Sequence, residues 1–590
     1  MIKDNKKSLK KDLSLIDKIL LNNKLPLIIV VLFAIIVTFS IIYINSTSNI
    51  LGSSYRDAYL YLIQALKWSG YNITGYDYVN YLSPLVPFLT AILFKIGFVS
   101  ESSLFLTSGV FYICGIIGIY YLLNLRFDKY VSCFGSILYG SLSINLMWTG
   151  NGTLDIASIA FSILAIYFFI IAMEKSQKYF YLAIPLGVLS FLGKYTGGLI
   201  FAVMLLYFLS KKDIFGNIKK YIKNIIGGLI TSLIFIIPFL GYYYINGYPL
   251  GFLTQANEIS NEATTRVAVS VTKEVSNNIF YYFQQIPRFI YSPNQIIGYI
   301  FLVIGLIGII YGIYIILKNI NNKYSNSPKK IDTSFIPKLK LNKNIFYIIM
   351  LLTVVLMIIS FLNVANISFI ISEAIFFVSL FIFSICVNSI FNEEIKSTNS
   401  NYNSLSLSFD LAMIGWFIGY MIFFSAHFTK ADRYFTALAP SFVFFISFGL
   451  NAILNKLNNF DKIEKINKEY HLNKIIPIIL IVILLITTIG YLTIDKHDPL
   501  VDEEKEVSEW IKLNIPNYAN AHIVADRAPI YTWYLKTGIP YHFILSEGMT
   551  HEKQLNEENA TYYIRLNNDT KINGFKIIKT IGPNTIYKRA

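Results

Sequence analysis

The feature that most constrains this chain is a succession of apolar runs, each close to the length of a helix that crosses a lipid bilayer. Such a helix needs about 20 apolar residues, with a tolerated range of roughly 17 to 25. Runs of this kind read at 25–45, 82–98, 104–123, 131–148, 156–173, 178–193, 197–209, 222–244, 296–317, 344–362, 367–391, 409–427, 434–454 and 474–494. With 55% of its 590 residues hydrophobic and only 14% charged, the chain carries more apolar surface than a water-soluble fold of this size can hide; soluble domains are roughly 25% charged. The first run follows a lysine-rich head, 1–24, and is long with no small-residue cleavage pattern after it, so it reads as a span and not as a removable leader.

The net charge of +15 does not indicate nucleic-acid binding, because the lysines form no basic stripe. They fall in short blocks between apolar runs, as cytoplasmic loops of membrane proteins do. The head carries Lys3, Lys6, Lys7, Lys10, Lys11, Lys18 and Lys24, and the loop at 211–223 carries Lys211, Lys212, Lys219, Lys220 and Lys223. A third block runs from Lys318 to Lys343 with Asp332 as its one acid, and 455–474 follows the same side. N-x-S/T sequons begin at Asn45, Asn72, Asn151, Asn366, Asn559 and Asn568, all on the side that the lysines leave for the exterior. A cytoplasmic N-terminus and an external C-terminus require an odd number of crossings. The run 82–98 is short, is led by Pro84 and Pro87 and contains Lys95, so we read it as interfacial or re-entrant. About 13 transmembrane helices are then expected for residues 25–494, with external loops at 46–81 and 246–295.

The remainder, 495–590, reads as a small extracytoplasmic α/β domain. It has a helix around 502–513, a strand around 521–525, a helix near 528–536 and strand-like stretches TYYIRL and FKIIKTI. Its Trp510 and Trp533 read as core residues of that domain. Cys114, Cys133 and Cys386 lie inside apolar runs without metal or disulfide spacing and read as small buried hydrophobes. No internal repeat supports an inverted-repeat transporter.

Charges at the ends of spans are costly and therefore informative. Asp57 lies in SSYRDAYLYLIQALKWSGYN, where Tyr55, Tyr59, Leu62 and Leu66 share its helical face, giving an amphipathic helix on the outer surface; the plain alternative is a solvated Arg56–Asp57 pair. Asp155 opens a span in WTGNGTLDIASIAF, where spacing alone favours a cap made by Thr153 or Asp155. Lys194 sits at a break in GVLSFLGKYTGGLIF, where snorkelling competes with a site at which glycines allow close backbone approach. Arg433 begins a span in HFTKADRYFTALAP, and in the plain reading it is an interface anchor beside Tyr434 and Phe435. Glu373 is a lone acid in an apolar run, and the histidines lack ligand spacing. Together the charges describe an outward-facing cavity with one or two carboxylates and two cations, which suits a lipid-linked phosphate.

The order of these pieces resembles the GT-C superfamily of glycosyltransferases, in its branch of protein O-mannosyltransferases and lipid A aminoarabinose transferases. The matching pieces are YRDAYLYL, YLSPLVPFLTAILFKIGF, LDIASIAFSILAIYFF, LGKYTGGLIF and KADRYFTALAP. The resemblance implies an all-α polytopic fold and inverting transfer of a sugar, a mannose-like hexose, from a polyisoprenyl phosphate to a glycan, protein or lipid acceptor at the outer face. It implies Asp57 as catalytic base, Asp155 as a second cavity acid, and Lys194 and Arg433, with Arg56 beside them, as donor phosphate-binding cations. Members often carry an Asp-Glu pair where this chain has Arg56–Asp57. The loop 246–295 lacks the histidine that a zinc site of the aminoarabinose branch would use, and the tail has no WWDYG-like run. No cofactor is implied with certainty: a divalent ion at the outer-face carboxylates stays open, since the ligand count is too low to require one. The alternative from another class is a transporter or flippase of lipid-linked saccharides, which should show paired broken helices and a midplane site.

Overall fold

A computed structural model of the chain describes residues 24–47, 57–211, 214–255, 278–326, 330–332, 340–364, 367–391, 404–427, 430–458, 471–494, 499–542, 550–567 and 571–590. Arg56, most of the basic head, the middle of the 246–295 loop and the sequon residues Asn366 and Asn568 lie outside these residues. The chain is a multi-pass helical membrane protein with a small C-terminal sheet. Among the described residues nine helices are long and apolar enough to cross a membrane, or ten if one bent pair counts as a single span.

The first span, α1 (Leu25–Thr47), is followed by α2 (Asp57–Ser69), α3 (Leu85–Lys95) and α4 (Glu101–Leu123). At 1.5 Å per residue the 11 residues of α3 reach about 16 Å, half of the hydrocarbon thickness. The proline-led run is therefore too short to cross. The run 131–148 divides into α5 (Lys129–Ser141) and α6 (Ser143–Gly150), bent by 51°. Side chains meet carbonyls freed at the bend, Tyr112 donating to Gly140 O at 2.7 Å and Asn145 Nδ2 to Tyr139 O at 2.8 Å.

Then come α7 (Leu154–Glu174), α8 (Phe180–Gly193), a 3-10 turn (Tyr195–Leu199), α9 (Ile200–Leu209), α10 (Ile214–Ile245), α11 (Tyr281–Ile290) and α12 (Gln295–Asn326). A two-stranded ribbon, β1 (Lys330–Asp332) with β2 (Lys340–Asn342), precedes α13 (Lys343–Leu362), α14 (Phe369–Phe391), α15 (Ser404–Ala426), a 3-10 turn (Asp432–Ala437), α16 (Ala439–Asn458) and α17 (Leu472–Leu492). The runs at 178–193, 197–209 and 344–362 form helices of 14, 10 and 20 residues. The thirteen-span expectation rests on these shorter helices crossing as well.

The spans divide by burial. Buried residues make up 72% of the apolar stretch of α7 and 83% of that of α15 but only 11% for α10 and 17% for α12, so α10 and α12 lie at the periphery of the bundle. The α12–α16 crossing is close: a Cβ on Gly449 would meet Ile304 O at 1.8 Å, and one on Gly308 would meet Gly449 N at 2.6 Å, the small-residue contact that lets membrane helices approach.

The tail begins with α18 (Pro499–Asn514), β3 (Ile523–Ala525), α19 (Ala528–Leu535) and α20 (His551–Glu557), and ends with β4 (Tyr562–Leu566), β5 (Phe575–Ile581) and β6 (Asn584–Arg589). Its sheet order is β3-β4-β6-β5, with β3 parallel to β4 and the other pairs antiparallel. The interior strand β6, which pairs with both β4 and β5, is not among the strands expected from the sequence.

Three expectations are corrected. Helix α2 is not an amphipathic surface helix: Ala58, Tyr59, Tyr61, Leu62, Ile63, Gln64, Ala65 and Leu66 are all buried, because α3 and α19 pack on it. The sequon residues Asn45 and Asn151 are buried, while Asn72 and Asn559 are exposed, so only part of the set presents acceptor amides. Trp533 is not a core residue of the tail alone, since its ring stacks on Phe94 of α3 with centroids 5.7 Å apart.

Candidate functional site

Four of the five sequence-predicted site residues come together at one end of the bundle. Asp57 is the first residue of α2 and Asp155 lies in the first turn of α7. The open backbone N–H groups of a helix N-terminus favour a carboxylate at both places. The two cations come from non-helical corners, Lys194 from the C-cap of α8 and Arg433 from the 3-10 turn before α16. At the opposite end of the bundle, α4 and α7 finish near other ion pairs, Arg126 with Asp410 at 3.0 Å and Lys211 with Glu174.

Glycines build the Lys194 corner. A Cβ on Gly193 would stand 3.1 Å from the Ser158 backbone, and one on Gly197 would stand 2.3 Å from Ser158 Oγ and 2.6 Å from Ser190 O. Only glycine lets α8 and its turn lie this close to α7. Reciprocal bonds hold the approach, with Ser158 Oγ donating to Ser190 O at 2.9 Å and Ser190 Oγ to Ser158 O at 2.8 Å. Lys194 Nζ consequently meets the Asp155 carboxylate in an ion pair. The cap expected at this helix does not form: Thr153 occupies the N-cap without a side-chain cap bond and donates to Trp148 O. The proline-led segment abuts the same corner, where Tyr195 N donates to Ser83 Oγ at 3.2 Å.

The Arg433 turn is fastened on three sides. Asp432 accepts from Tyr281 Oη and Arg288 Nη2, each at 2.6 Å, which ties the turn to α11. Trp416 Nε1 of α15 donates to Ala437 O at 2.8 Å, and Thr436 Oγ1 donates to Arg433 O at 2.5 Å. Lys430, just upstream, is buried and donates to Ser425 O at 2.6 Å and His427 O at 2.7 Å, satisfying carbonyls at the end of α15. Burial pushes its pKa down to about 8. Arg433 Nη1 then donates to Asp57 Oδ2 at 2.9 Å.

One ring joins the two pairs. Lys194 Nζ lies 4.6 Å and Arg433 Cζ 5.4 Å from the centroid of Tyr434, within the range of cation–π attraction. Tyr434 in turn stacks on Phe424 at 4.7 Å with planes 13° apart. The sequence alone gives Tyr434 no role beyond standing next to Arg433. Its position beside Arg433 was visible, but its contact with Lys194, 240 residues earlier, was not.

Exposure separates the two acids: the Asp155 side chain is 2% exposed and that of Asp57 is 42%. Asp155 therefore serves Lys194, whereas Asp57 can also meet a molecule entering from outside. An apolar cavity of 260 Å³ opens elsewhere, between α1, α6 and α17, bordered by Asn45, Asn151 and Tyr491; none of the four charged residues lines it. Glu373 is buried in α14, and among the described contacts it pairs with none of the four charged residues. Among the described residues no three His, Cys, Asp or Glu side chains converge as ligands for a metal ion.

Comparison with known proteins adds the following likenesses. Residues 82–242, which include Asp155 and Lys194, match the family of dolichyl-phosphate-mannose-protein mannosyltransferases. No curated protein matches the chain in sequence. Among solved structures, the fold is similar to ArnT from Cupriavidus metallidurans bound to undecaprenyl phosphate, with a TM-score of 0.50 at 10% identity over 95% of this chain and 97% of that one. It is also similar to the Archaeoglobus fulgidus oligosaccharyltransferase tethered to an acceptor peptide, with a TM-score of 0.50 at 12% identity over 92% of this chain and 69% of that one. The family match marks residues 82–242 as similar to a glycosyltransferase family, and the shared fold is the one that the order of sequence motifs implied.

Proposed function

We propose that the chain is an inverting glycosyltransferase that moves a sugar, most simply a mannose-like hexose, from a polyisoprenyl phosphate to an acceptor at the outer membrane face. The N-terminus is then cytoplasmic and the C-terminal domain extracytoplasmic. The observation that carries this reading is the meeting of two acid–cation pairs, Asp57–Arg433 and Asp155–Lys194, across the ring of Tyr434. The families and structures that resemble the chain support a lipid-linked donor, since one match is named for dolichyl-phosphate-mannose and one solved neighbour holds undecaprenyl phosphate.

The chemistry follows from charge. A donor phosphodiester carries one negative charge, and when the bond from anomeric carbon to phosphate oxygen breaks, the departing monoester gains a second. Lys194 and Arg433 stand where that charge develops, which lowers the barrier more than it strengthens ground-state binding. An acceptor hydroxyl forms the new bond to the anomeric carbon and yields its proton to Asp57. A phosphate that engages Arg433 also frees the Asp57 carboxylate for that proton. Asp155, buried, keeps Lys194 aimed at the ring of Tyr434 and away from solvent.

The test is transfer by purified protein in lipid, with radiolabelled polyprenyl-phosphate hexose as donor and a membrane extract as acceptor. Wild type should move label, and Asp57→Asn should turn over about 10²–10⁴-fold more slowly with donor binding retained. Intact lipid carried across a vesicle by both proteins, with no label transferred, would sink this reading in favour of a flippase.

A further inference from the structure

The sequence leaves the tail without a role, yet the structure seats one of its helices against the helix that carries Asp57. Helix α19 reaches three elements of the membrane part. Tyr534 Oη lies 3.4 Å from Tyr59 Oη, and the two rings meet edge to face at 6.1 Å. Trp533 stacks on Phe94 of α3, and its Nε1 donates to Glu101 Oε1 of α4 at 2.7 Å. Behind them Tyr76 Oη donates to Ile539 O at 2.8 Å and meets Thr532 Oγ1 at 3.1 Å, both contacts buried. A Cβ on Gly538 would fall 2.1 Å from Thr74 O, so the two backbones are in direct contact there.

Tyr59 is fully buried and stands two residues from Asp57, in the same first turn of α2. Helix α19 covers the first turn of α2 through Tyr534. We propose that Trp533 and Tyr534 are positioning residues for Asp57: the docked C-terminal domain fixes the start of α2 so that the carboxylate faces Arg433. The catalytic role of Asp57 in this statement rests on the function proposed above; the anchoring of α2 does not.

Two readouts on the full chain in lipid keep these parts separate. The first is the kinetic split. Tyr534→Ala and Trp533→Ala should each lower kcat about tenfold, because misplacement of a reacting group is costly, with the donor KM changed by no more than about twofold, because Lys194 and Arg433 are untouched. Tyr534→Phe, which keeps the ring edge, should restore most of kcat. The second is geometric and needs no turnover: the rate of oxidative crosslinking in an Asp57→Cys/Arg433→Cys pair, with Cys114, Cys133 and Cys386 replaced by serine. That rate should fall several-fold when Tyr534→Ala is added and recover with Tyr534→Phe. An unchanged crosslinking rate overturns the proposal whatever transfer shows. A slowed crosslink in a protein whose wild type transfers no sugar leaves the anchoring of α2 standing and removes the glycosyltransferase reading. A loss of kcat accompanied by an equal rise in donor KM would also overturn it, since the whole site would then have been disturbed.

Discussion

Lys194 and Asp155 show how stability and chemistry can be told apart at the level of single side chains. Replacing Lys194 by methionine strands a carboxylate that is 2% exposed, and breaking a buried pair costs about 3–5 kcal/mol because the remaining charge loses its partner. Lys194→Met should therefore unfold measurably earlier in a thermal melt and transfer no sugar. The double variant Lys194→Met/Asp155→Leu removes both charges and should recover most of the melting temperature while transfer stays absent. Recovery of transfer in the double variant would show that the pair only holds the fold. At this scale the sequence named Asp57, Asp155, Lys194 and Arg433 because charges at span ends are conspicuous. It did not show who pairs with whom, and spacing favoured a local cap for an acid whose partner lies 39 residues away.

At the scale of elements, the Lys194 corner depends on the absence of two side chains. Gly197→Ala would drive a methyl into Ser158 Oγ and Ser190 O, so α8 and its turn must move away from α7. Transfer should fall by at least tenfold, comparable to misplacing a reacting group, and Ser158→Ala, which clears part of the space, should restore some of it in the double variant. A Gly197→Ala chain with full activity would mean that Lys194 reaches the donor without the close approach. The helices themselves were legible from run length, since a span has little to hide its apolarity among. The break at Leu142 was not: Gly140 and Ser141 precede it but no proline marks it, and the bend is sustained by Tyr112 of α4 and Asn145 of α6. The surface assignment of α2 failed for a similar reason, because the helix α19 that covers it lies more than 450 residues downstream.

At the scale of the molecule, the tail carries an acid-sensitive fastening of its own. Glu558 Oε2 meets His542 Nδ1 at 2.7 Å, His542 Nε2 meets His551 Nδ1 at 3.0 Å, and His551 Nε2 meets Arg565 Nη2 at 3.1 Å. Arginine can only donate and a carboxylate only accept, so the chain of bonds runs one way and requires both imidazoles neutral. Burial, together with Arg565 and His542, holds His551 below its ordinary value, against an opposing pull from Asp526. A group whose pKa falls on folding makes the unfolded chain bind more protons as pH drops below about 6.5. The contribution is therefore complete above that value and is lost on acidification through it. Proteolysis of the tail between pH 8 and 5 should accelerate in the acid range, and His551→Asn should flatten that dependence; a wild-type profile that is already flat would contradict the assignment.

The salt link between Asp57 and Arg433 spans 376 residues of sequence, and the contact of Tyr59 with Tyr534 spans 475. Ribosomes add roughly 5–20 residues per second, so on the order of 20–75 seconds pass between synthesis of the acid and synthesis of its cation, and more before the tail emerges. During that interval the nascent chain already has a first span in the lipid but no finished centre. Under the proposed function, a growing polypeptide built this way cannot consume an activated lipid before Arg433 is made, and translation arrest upstream of that residue would leave an inert product.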